Sequence, residues 1–480
     1  MPRRTKIVAT IGPASESPAI IGQLIDAGMD MARLSLAHGP LEETLERIRL
    51  IRKIANDRER IIGVMADLPG PKIRAASFPE GGLMLMPDSV VQIVAADANS
   101  TSDASTIAVD HPEVLAAVQP GDRVALGDGA IQLEIVETGD GGTARVLTGG
   151  WAQGRPGFAV PADRVSLPSP TPTDLSYMDA LCEEEVDAIA ISFVRSGGDI
   201  DRARHAAGPD APMLVAKIET QQAVDDLDNI IATADGVMVA RGDLGIRCAV
   251  EDVPHYQKRI IRIGVAFGRP VITATQLLES MVRAPTPTRA EVTDIANAVF
   301  DGSSALMLSG ETAIGAYPVE SVRTMARVAR RAEQEFDYAN WGKSLGKIQM
   351  QEMHHAPIPI RITAAISAAA WRASIDAEVT AIIACTNTGA SARGISRFRP
   401  VVPVLAATPS LRTARQLSVA WGVTPFVSDR HGSTDDIVWF AVQAAIDQGI
   451  VNAGDVVAVL VGSPSDPEPA ADTLRLVRVS

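Results

Sequence analysis

The chain is predicted to be an α/β protein built on a closed (β/α)₈ barrel, with a small β-rich domain inserted into it and an open α/β domain after it. Three observations carry this expectation. Short apolar runs alternate with amphipathic helical stretches, the pattern of parallel βαβ units. Eight such runs occur before residue 310, and eight is the number that closes a barrel, with a doubly wound open sheet as the runner-up. The 480 residues are 46% hydrophobic but only 4% aromatic, which suits aliphatic strands packed under helices. At roughly 150 residues per domain, that length allows about three domains.

The elements follow in order. "KIVATIG" (6–12) reads as the first strand, with a helix near 17–27. "MDMARLSLA" (29–37) is the second, with a helix near 40–56, and "RIIGVMADL" (60–68) is the third. After an interruption come "DAIAISFV" (187–194), "APMLVAKIE" (211–219), "ADGVMVAR" (234–241), "RPVITAT" (269–275) and "GSSALMLS" (302–309). Helices are expected near 221–232, 254–267, 288–299 and 318–335. The interruption alternates apolar and polar residues between Asp-Gly and Gly-Gly turns. It reads as a small β-barrel or sandwich. Because it leaves the barrel at the C-terminal end of the third strand, where such barrels keep their active sites, a lid is expected. From about 345, "VTAIIACTNTG", "VVPVLAATPS", "VTPFVSD" and "GDVVAVLVGS" read as strands of a separate domain, and "TLRLVRVS" as an edge strand. The expected division is 1–69 with 164–342 for the TIM barrel, 70–163 for the lid and 343–480 for the C-terminal domain.

Bulk chemistry narrows the partners. Lys plus Arg number 44 against 58 Asp plus Glu, for a net charge of −14. Such a chain has no general attraction to nucleic acid or to an anionic membrane, although a local cluster of cations can still take an anionic substrate. Cys182, Cys248 and Cys385 are far apart and form no C-x-x-C pair. Neither a disulfide framework nor a zinc site is expected, and a reduced, cytoplasmic compartment fits. "MPRRTKIVATIGP" is too short in its apolar run for a signal peptide. No stretch approaches a membrane span.

The strand ends hold the chemistry. The second strand ends in Arg33, followed by Ser35 and His38. The third ends in Asp67, then "PGPKIR" with Lys72 and Arg74. The fifth ends in Lys217 and Glu219, the sixth in "ARGDLG" with Asp243, the seventh in Thr275, and the eighth in "SGETA" with Ser309 and Glu311. Glu219 and Asp243 are hard oxygen ligands, too few for calcium but enough for Mg²⁺, which completes its shell with water and substrate oxygens. Arg33, Arg74 and Lys217 suit phosphate and a charge developing on a transferred group. "RGDLG" reads as a tight glycine turn whose N–H groups could hold a carboxylate or phosphate. No Cys–His or Ser–His–Asp arrangement is visible. The set points to Mg²⁺-assisted phosphoryl transfer or enolate chemistry.

On these residues the chain resembles the pyruvate kinase family over nearly its whole length. The likeness rests on "TKIVATIGPAS" (5–15), "GMDMARLSLAHG" (28–39), "ADLPGPKIR" (66–74), "KIET" (217–220), "ARGDLG" (240–245), "TATQLLESM" (273–281), "PTRAEVTDIANAV" (287–299), "DGSSALMLSGETAIGAYPVE" (301–320) and "ISRFRP" (395–400). It implies transfer of the phosphoryl group of phosphoenolpyruvate to ADP, giving pyruvate and ATP in glycolysis. By motif, Glu219 and Asp243 would bind Mg²⁺, with Mn²⁺ as an alternative. Lys217 would stabilise the phosphoryl group in transit and the emerging enolate. Gly242 and Asp243 N–H groups, with Thr275, would hold the substrate carboxylate. Arg33 would contact the transferred group, and Arg74 and His38 the nucleotide side. Ser309 and Glu311 are expected in a relay that protonates the enolate, with a purely structural turn at "SGET" as the alternative. A cytoplasmic homotetramer is the family's usual state.

Four departures qualify the likeness. The usual "NFSHG" is "SLAHG", which places Ser35 and Ala37. The usual "DTKGPEIR" is "DLPGPKIR", which places Leu68 and Lys72. Three of four usual potassium ligands are thereby changed, leaving Asp67 and the Ser35 hydroxyl of a degenerate monovalent-cation site, with the Lys72 ammonium as substitute. Members with the Glu-to-Lys change are potassium-independent, so potassium is not expected to be required. Ser35 and Ala37 go beyond that pattern. Thr173 stands where a nucleotide-side lysine is common. Finally, "CTNTGASARGISRFRP" (385–400) resembles an effector loop, with Thr386, Thr388, Gly389 and Ser391 as a phosphate nest or, equally, a capped helix start. The acidic, proline-rich 462–472 opposite it favours a monophosphate over a bisphosphorylated sugar. The rival readings are a low-activity regulatory or phosphometabolite-binding paralogue and a Mg²⁺-dependent lyase of 2-oxo acids.

Overall fold

In the computed structural model, residues 3–97, 99–127, 129–139, 142–161, 164, 167–352, 358–462 and 471–480 are described, side chains of 347–352 excepted. The expected lid boundary at 163/164 and most of the acidic 462–472 wall lie outside them.

Eight parallel strands close into a barrel: Lys6–Thr10, Met31–Ser35, Gly63–Asp67, Ala188–Ile191, Met213–Ile218, Gly236–Ala240, Val271–Ala274 and Ala305–Leu308. They are numbered one to eight here. Strand eight pairs with strand one, Lys6 opposite Ala305. Strands three to eight are buried at every residue, which explains their unbroken apolar runs. Their inward residues form one core. Met31, Met65, Met213, Met238 and Met307 fill it with Val8 and Ile272. Methionine's flexible thioether suits such an irregular interior.

Helices wrap the outside, and their ends are chemically marked. Pro18–Ala27 starts on a Ser17 side-chain cap and stops at Gly28 in the left-handed region. Arg289–Asp301 starts on a capping box between Thr288 and Glu291. Both are sequence-readable signals. Several helices escaped the sequence reading, Pro172–Glu183 and Tyr338–Glu352 among them, and two others bear on the site. Gly197–Ala207 carries few apolar residues. Arg241–Arg247 corrects the expected glycine turn at "RGDLG": the two glycines lie inside one helical run.

The insert leaves after strand three and returns before the helix Pro172–Glu183. It holds a six-stranded sheet and a two-stranded sheet over its own core, with Ile93, Leu133 and Phe158 among the buried residues. The C-terminal region forms a five-stranded sheet. Strands Val423–Val427, Val404–Thr408, Ala381–Cys385 and Val456–Val461 run parallel, and Thr473–Arg478 is the antiparallel edge.

The C-terminal domain seats against the barrel's N-terminal end. Val419 joins the methionine core from below. Gly63 is required at this junction, because any side chain there would collide with Ser418. Arg4 donates to the carbonyls of Pro400 (2.7 Å) and Val401. Gln416 Nε2 donates to the Asp187 carbonyl at 3.2 Å. The Asp187 carboxylate is fully buried, accepts from Val64 N–H at 2.8 Å, and has Arg52 4.0 Å away. Burial pushes its pKa up to about 6, against the pull of that N–H and of Arg52.

Candidate active site

Four successive strands each deliver one side chain to a single buried chain of contacts. Arg33 Nε on strand two donates to Asp67 Oδ2 at 2.7 Å. Lys217 Nζ on strand five donates to Asp67 Oδ1 at 3.2 Å and to Ser192 Oγ at 2.7 Å. Ser192, directly after strand four, donates to the Leu68 carbonyl at 2.7 Å. Lys217 Nζ also lies 2.9 Å from Glu219 Oε1. The barrel makes this possible, because Ser35 sits opposite Asp67 and Ala190 opposite Asp67 in the strand register.

Electrostatics fix the charge states. Burial opposes the charge on Lys217, but Asp67 and Glu219 outweigh it and hold the ammonium charged well above the ordinary lysine range. Burial also opposes ionisation of Asp67, and Arg33 with Lys217 reverses that, so its carboxyl is held below the usual range. Glu219 differs. Burial raises its pKa, Lys217 pulls it down, and the nearby Asp243 charge raises it again, with a net upward shift.

Glu219 is fully buried. Its Oε2 accepts from Phe193 N–H at 2.7 Å. Its Oε1 accepts no directed hydrogen bond despite the nearby ammonium. A buried carboxylate oxygen held by an ion pair to Lys217 but by no hydrogen bond of good geometry, near a second carboxylate, fits a hard divalent cation. Among the described residues no group of three or more His, Cys, Asp and Glu forms a protein-only cage. Two carboxylates are what Mg²⁺ needs when substrate oxygens and water complete its shell.

A cationic cluster stands over this network. The His38 pKa is lowered by burial and then by Arg74, Arg33 and Lys72, which places all three cations around it. Arg74 Nη1 donates to the Arg155 carbonyl at 3.3 Å. Lys72 Nζ lies 3.5 Å from Asp243 Oδ1. The structure thus brings Arg33 and Lys217 to Asp67, and brings Lys72 to Asp243. No hydrogen bond is made by the Ser35 side chain among the described residues.

The seventh strand ends in strain. Thr275 has φ 70° and Gln276 has φ 55°, costly for a β-branched residue. Arg241 holds the turn, donating to the carbonyls of Ala274 (3.2 Å) and Thr275 (2.7 Å) while it pairs with Asp294 at 2.8 Å. Gly242 N–H donates to Thr275 Oγ1 at 2.8 Å. At the eighth strand both Glu311 oxygens accept backbone N–H groups, Leu278 at 3.0 Å and Ser309 at 2.7 Å. That geometry braces the "SGET" turn. Ser309 lines the cleft and Glu311 holds it there.

The cleft between lid and barrel measures about 1470 Å³, with Lys72, Arg123, Asp243, Arg247, Thr275 and Ser309 in its wall. Ser192, Phe193 and Arg241 are the site residues the sequence reading missed. Ser192 was findable, since it directly follows the fourth strand, as Asp67 ends the third.

A second cleft of about 340 Å³ lies in the C-terminal domain, walled by Thr386, Thr388, Ser391, Arg430 and His431. Its loop is satisfied internally. Thr386 Oγ1 accepts from Gly389 N–H at 2.9 Å, Thr388 Oγ1 from Ala390 N–H at 3.4 Å, and Ser391 Oγ donates to the Cys385 carbonyl at 3.3 Å. Gly389 has φ 81°, as a nest or a cap requires.

A lidded (β/α)₈ barrel with a buried lysine–carboxylate network under a cluster of arginines defines a barrel enzyme that handles phosphorylated anions. Comparison narrows the class. A family model described as "Pyruvate kinase, barrel domain" matches residues 2–322, and one described as "Pyruvate kinase, alpha/beta domain" matches 364–477. The pyruvate kinase of Clostridium acetobutylicum is 38% identical over 99% of this chain and 99% of its own. That of Methylorubrum extorquens is 38% identical over 100% and 98%, and that of Sporosarcina psychrophila 40% over 96% and 78%. The chain belongs to the pyruvate kinase family of phosphotransferases. No described helix is long and apolar enough to cross a membrane.

Proposed function

We propose that the enzyme transfers the phosphoryl group of phosphoenolpyruvate to ADP, with Mg²⁺ and without a potassium requirement, giving pyruvate and ATP. The observation that carries this reading is the Arg33–Asp67–Ser192–Lys217 chain ending at Glu219. It holds one permanently charged ammonium at the barrel mouth, between Asp67, which Arg33 also holds, and Glu219 at 2.9 Å.

Lys217 meets the negative charge on the phosphoryl group in transit and on the enolate oxygen left behind. Arg33 grips the phosphoryl oxygens, and Arg74 the nucleotide phosphates. His38, neutral among three cations, hydrogen-bonds on the nucleotide side. The Gly242 N–H and the Thr275 hydroxyl, bonded to each other here, turn to the substrate carboxylate together with the Asp243 N–H. Ser309 passes a proton toward the enolate carbon, held in place by Glu311. Glu219 and Asp243 would hold Mg²⁺, or Mn²⁺ in its place, which when bound supplies positive charge to the phosphoryl oxygens. Potassium is dispensable in this reading because Lys72 already adds a positive charge to the cluster beside Arg33 and Arg74, while Asp67 and Ser35 remain from the cation site. The division into 1–69 with 164–342, 70–163 and 343–480 rests on the change in sequence texture, the cytoplasmic location on the unpaired cysteine spacing, and the homotetramer on the family likeness.

The test is pyruvate release from phosphoenolpyruvate, ADP and Mg²⁺, read by a coupled dehydrogenase, in potassium and in tetramethylammonium salts. Equal turnover in both is expected, with Lys217→Met slower by about a thousandfold. A wild-type chain that binds phosphoenolpyruvate but never releases pyruvate would instead be the regulatory paralogue.

A further inference from the structure

We infer that the Arg247 guanidinium is a binding group for the diphosphate of a nucleoside diphosphate in the lid–barrel cleft; its ligand class rests on the phosphoryl-transfer reading above. Arg247 ends the helix Arg241–Arg247, four residues after Asp243, so the two side chains share one helix face. Both line the cleft. The Asp243 and Glu219 charges reach Arg247 electrostatically, so it stands beside the carboxylates that face the transferred group.

The cleft's cations separate by their commitments. Arg241 is paired with Asp294 at 2.8 Å, Lys258 with Asp301, and Lys72 with Asp243 at 3.5 Å. Arg247 makes no hydrogen bond and no ion pair among the described residues. What it does have is a platform. Its Cζ lies over the Phe193 ring, 4.8 Å from the centroid, a cation–π contact that holds the guanidinium while leaving its N–H groups available. Phe193 is itself clamped. Its backbone is left-handed, at φ 55°, and its N–H donates to Glu219 Oε2 at 2.7 Å. Its ring abuts Gly70 in the lid hinge, where an added side chain would collide with it. A half-buried, oriented, uncommitted guanidinium is suited to two phosphate oxygens at once, which a lysine's point charge is not.

The Arg123 side chain, on the lid wall of the same cleft, is also without a hydrogen bond or ion pair among the described residues, but it is exposed, while Arg247 is half-buried against a ring. Gly70 N–H donates to Asp174 Oδ1 at 3.2 Å, which brings up the helix start with Thr173, an uncharged residue. Charge for a diphosphate comes from Arg247 together with Lys72, whose ammonium stands 3.5 Å from Asp243 on the helix that carries Arg247. A cation occupying Glu219 and Asp243 would deprive Arg247 of its nearby negative charges and increase its demand for an anion.

The experiment is direct binding of ADP, AMP and phosphoenolpyruvate to the full-length Mg²⁺-loaded chain by calorimetry, for the native protein, Arg247→Met and Arg247→Lys. Arg247→Met is expected to weaken ADP about tenfold or more and to change phosphoenolpyruvate about twofold or less. AMP, which lacks the second phosphate, is expected to respond less than ADP. Arg247→Lys is expected to fall between, because it keeps charge without the fork, and it carries the test if the methionine variant does not fold. Unchanged ADP affinity, or an equal loss for phosphoenolpyruvate, overturns the assignment. Binding also separates the two readings: an ADP loss in a chain that shows no pyruvate release leaves Arg247 as a diphosphate ligand and removes the reaction.

Discussion

Ser192→Ala tests whether Lys217 works as a held group or merely as a nearby charge. The Lys217 ammonium has three N–H donors and three neighbours: Ser192 Oγ at 2.7 Å, Glu219 Oε1 at 2.9 Å and Asp67 Oδ1 at 3.2 Å. The serine is the closest and the only neutral one. It keeps its own proton on the Leu68 carbonyl at 2.7 Å, so its lone pair stays aimed at the lysine. Removing it deletes a hydrogen bond to a buried charge, worth about 1.5–3 kcal/mol. The two carboxylates keep the lysine charged, so the loss falls on its direction. The expected result is a kcat lower by about ten- to a hundredfold, with KM for phosphoenolpyruvate changed about threefold or less. Steady-state kinetics with a thermal melt reads both. A kcat within twofold of the native value, in a variant that melts normally, would refute the positioning role.

Two further results are expected. Lys72→Glu puts a negative charge where an ammonium stands 3.5 Å from Asp243. Turnover in potassium-free buffer should drop by about tenfold or more, with part recovered as K⁺ is titrated in; a variant equally active without K⁺ removes Lys72 from the cation-site argument. Asp187→Asn tests the buried carboxyl whose pKa is pushed up to about 6. The folded state holds its proton where the unfolded chain has lost it, so stability falls as pH rises from about 4 to 6, by about 3 kcal/mol at most. Asparagine should flatten that slope in urea titrations at pH 5 and pH 7, and an unchanged slope places the titration elsewhere.

The barrel was legible because its strands are buried on both faces, so "GVMAD" and "GVMVA" appear as unbroken apolar runs. The rim was legible because charges that close such runs must face the mouth. Other features were hidden for physical reasons. Gly197–Ala207 reads polar because most of one helix face meets solvent, and two glycines disguised Arg241–Arg247 as a turn. The partner of Lys72 could not be read from "PGPKIR". Its reach to Asp243 spans 171 residues of chain and depends on how the hinge folds over the barrel. Phe193 gave no polar signal, because it contributes a ring and one N–H.

The Val419 contact bears on how this chain can be divided. A barrel cut free near residue 343 would lose its floor. Val419 would leave, and the ends of a methionine-filled interior would meet water. Gly63, kept bare for Ser418, would then face an empty notch. The last third of the chain therefore acts as a stopper as much as a domain. Its chain segment is laid down after the barrel's last strand, so the vessel is sealed only once residue 419 has been made.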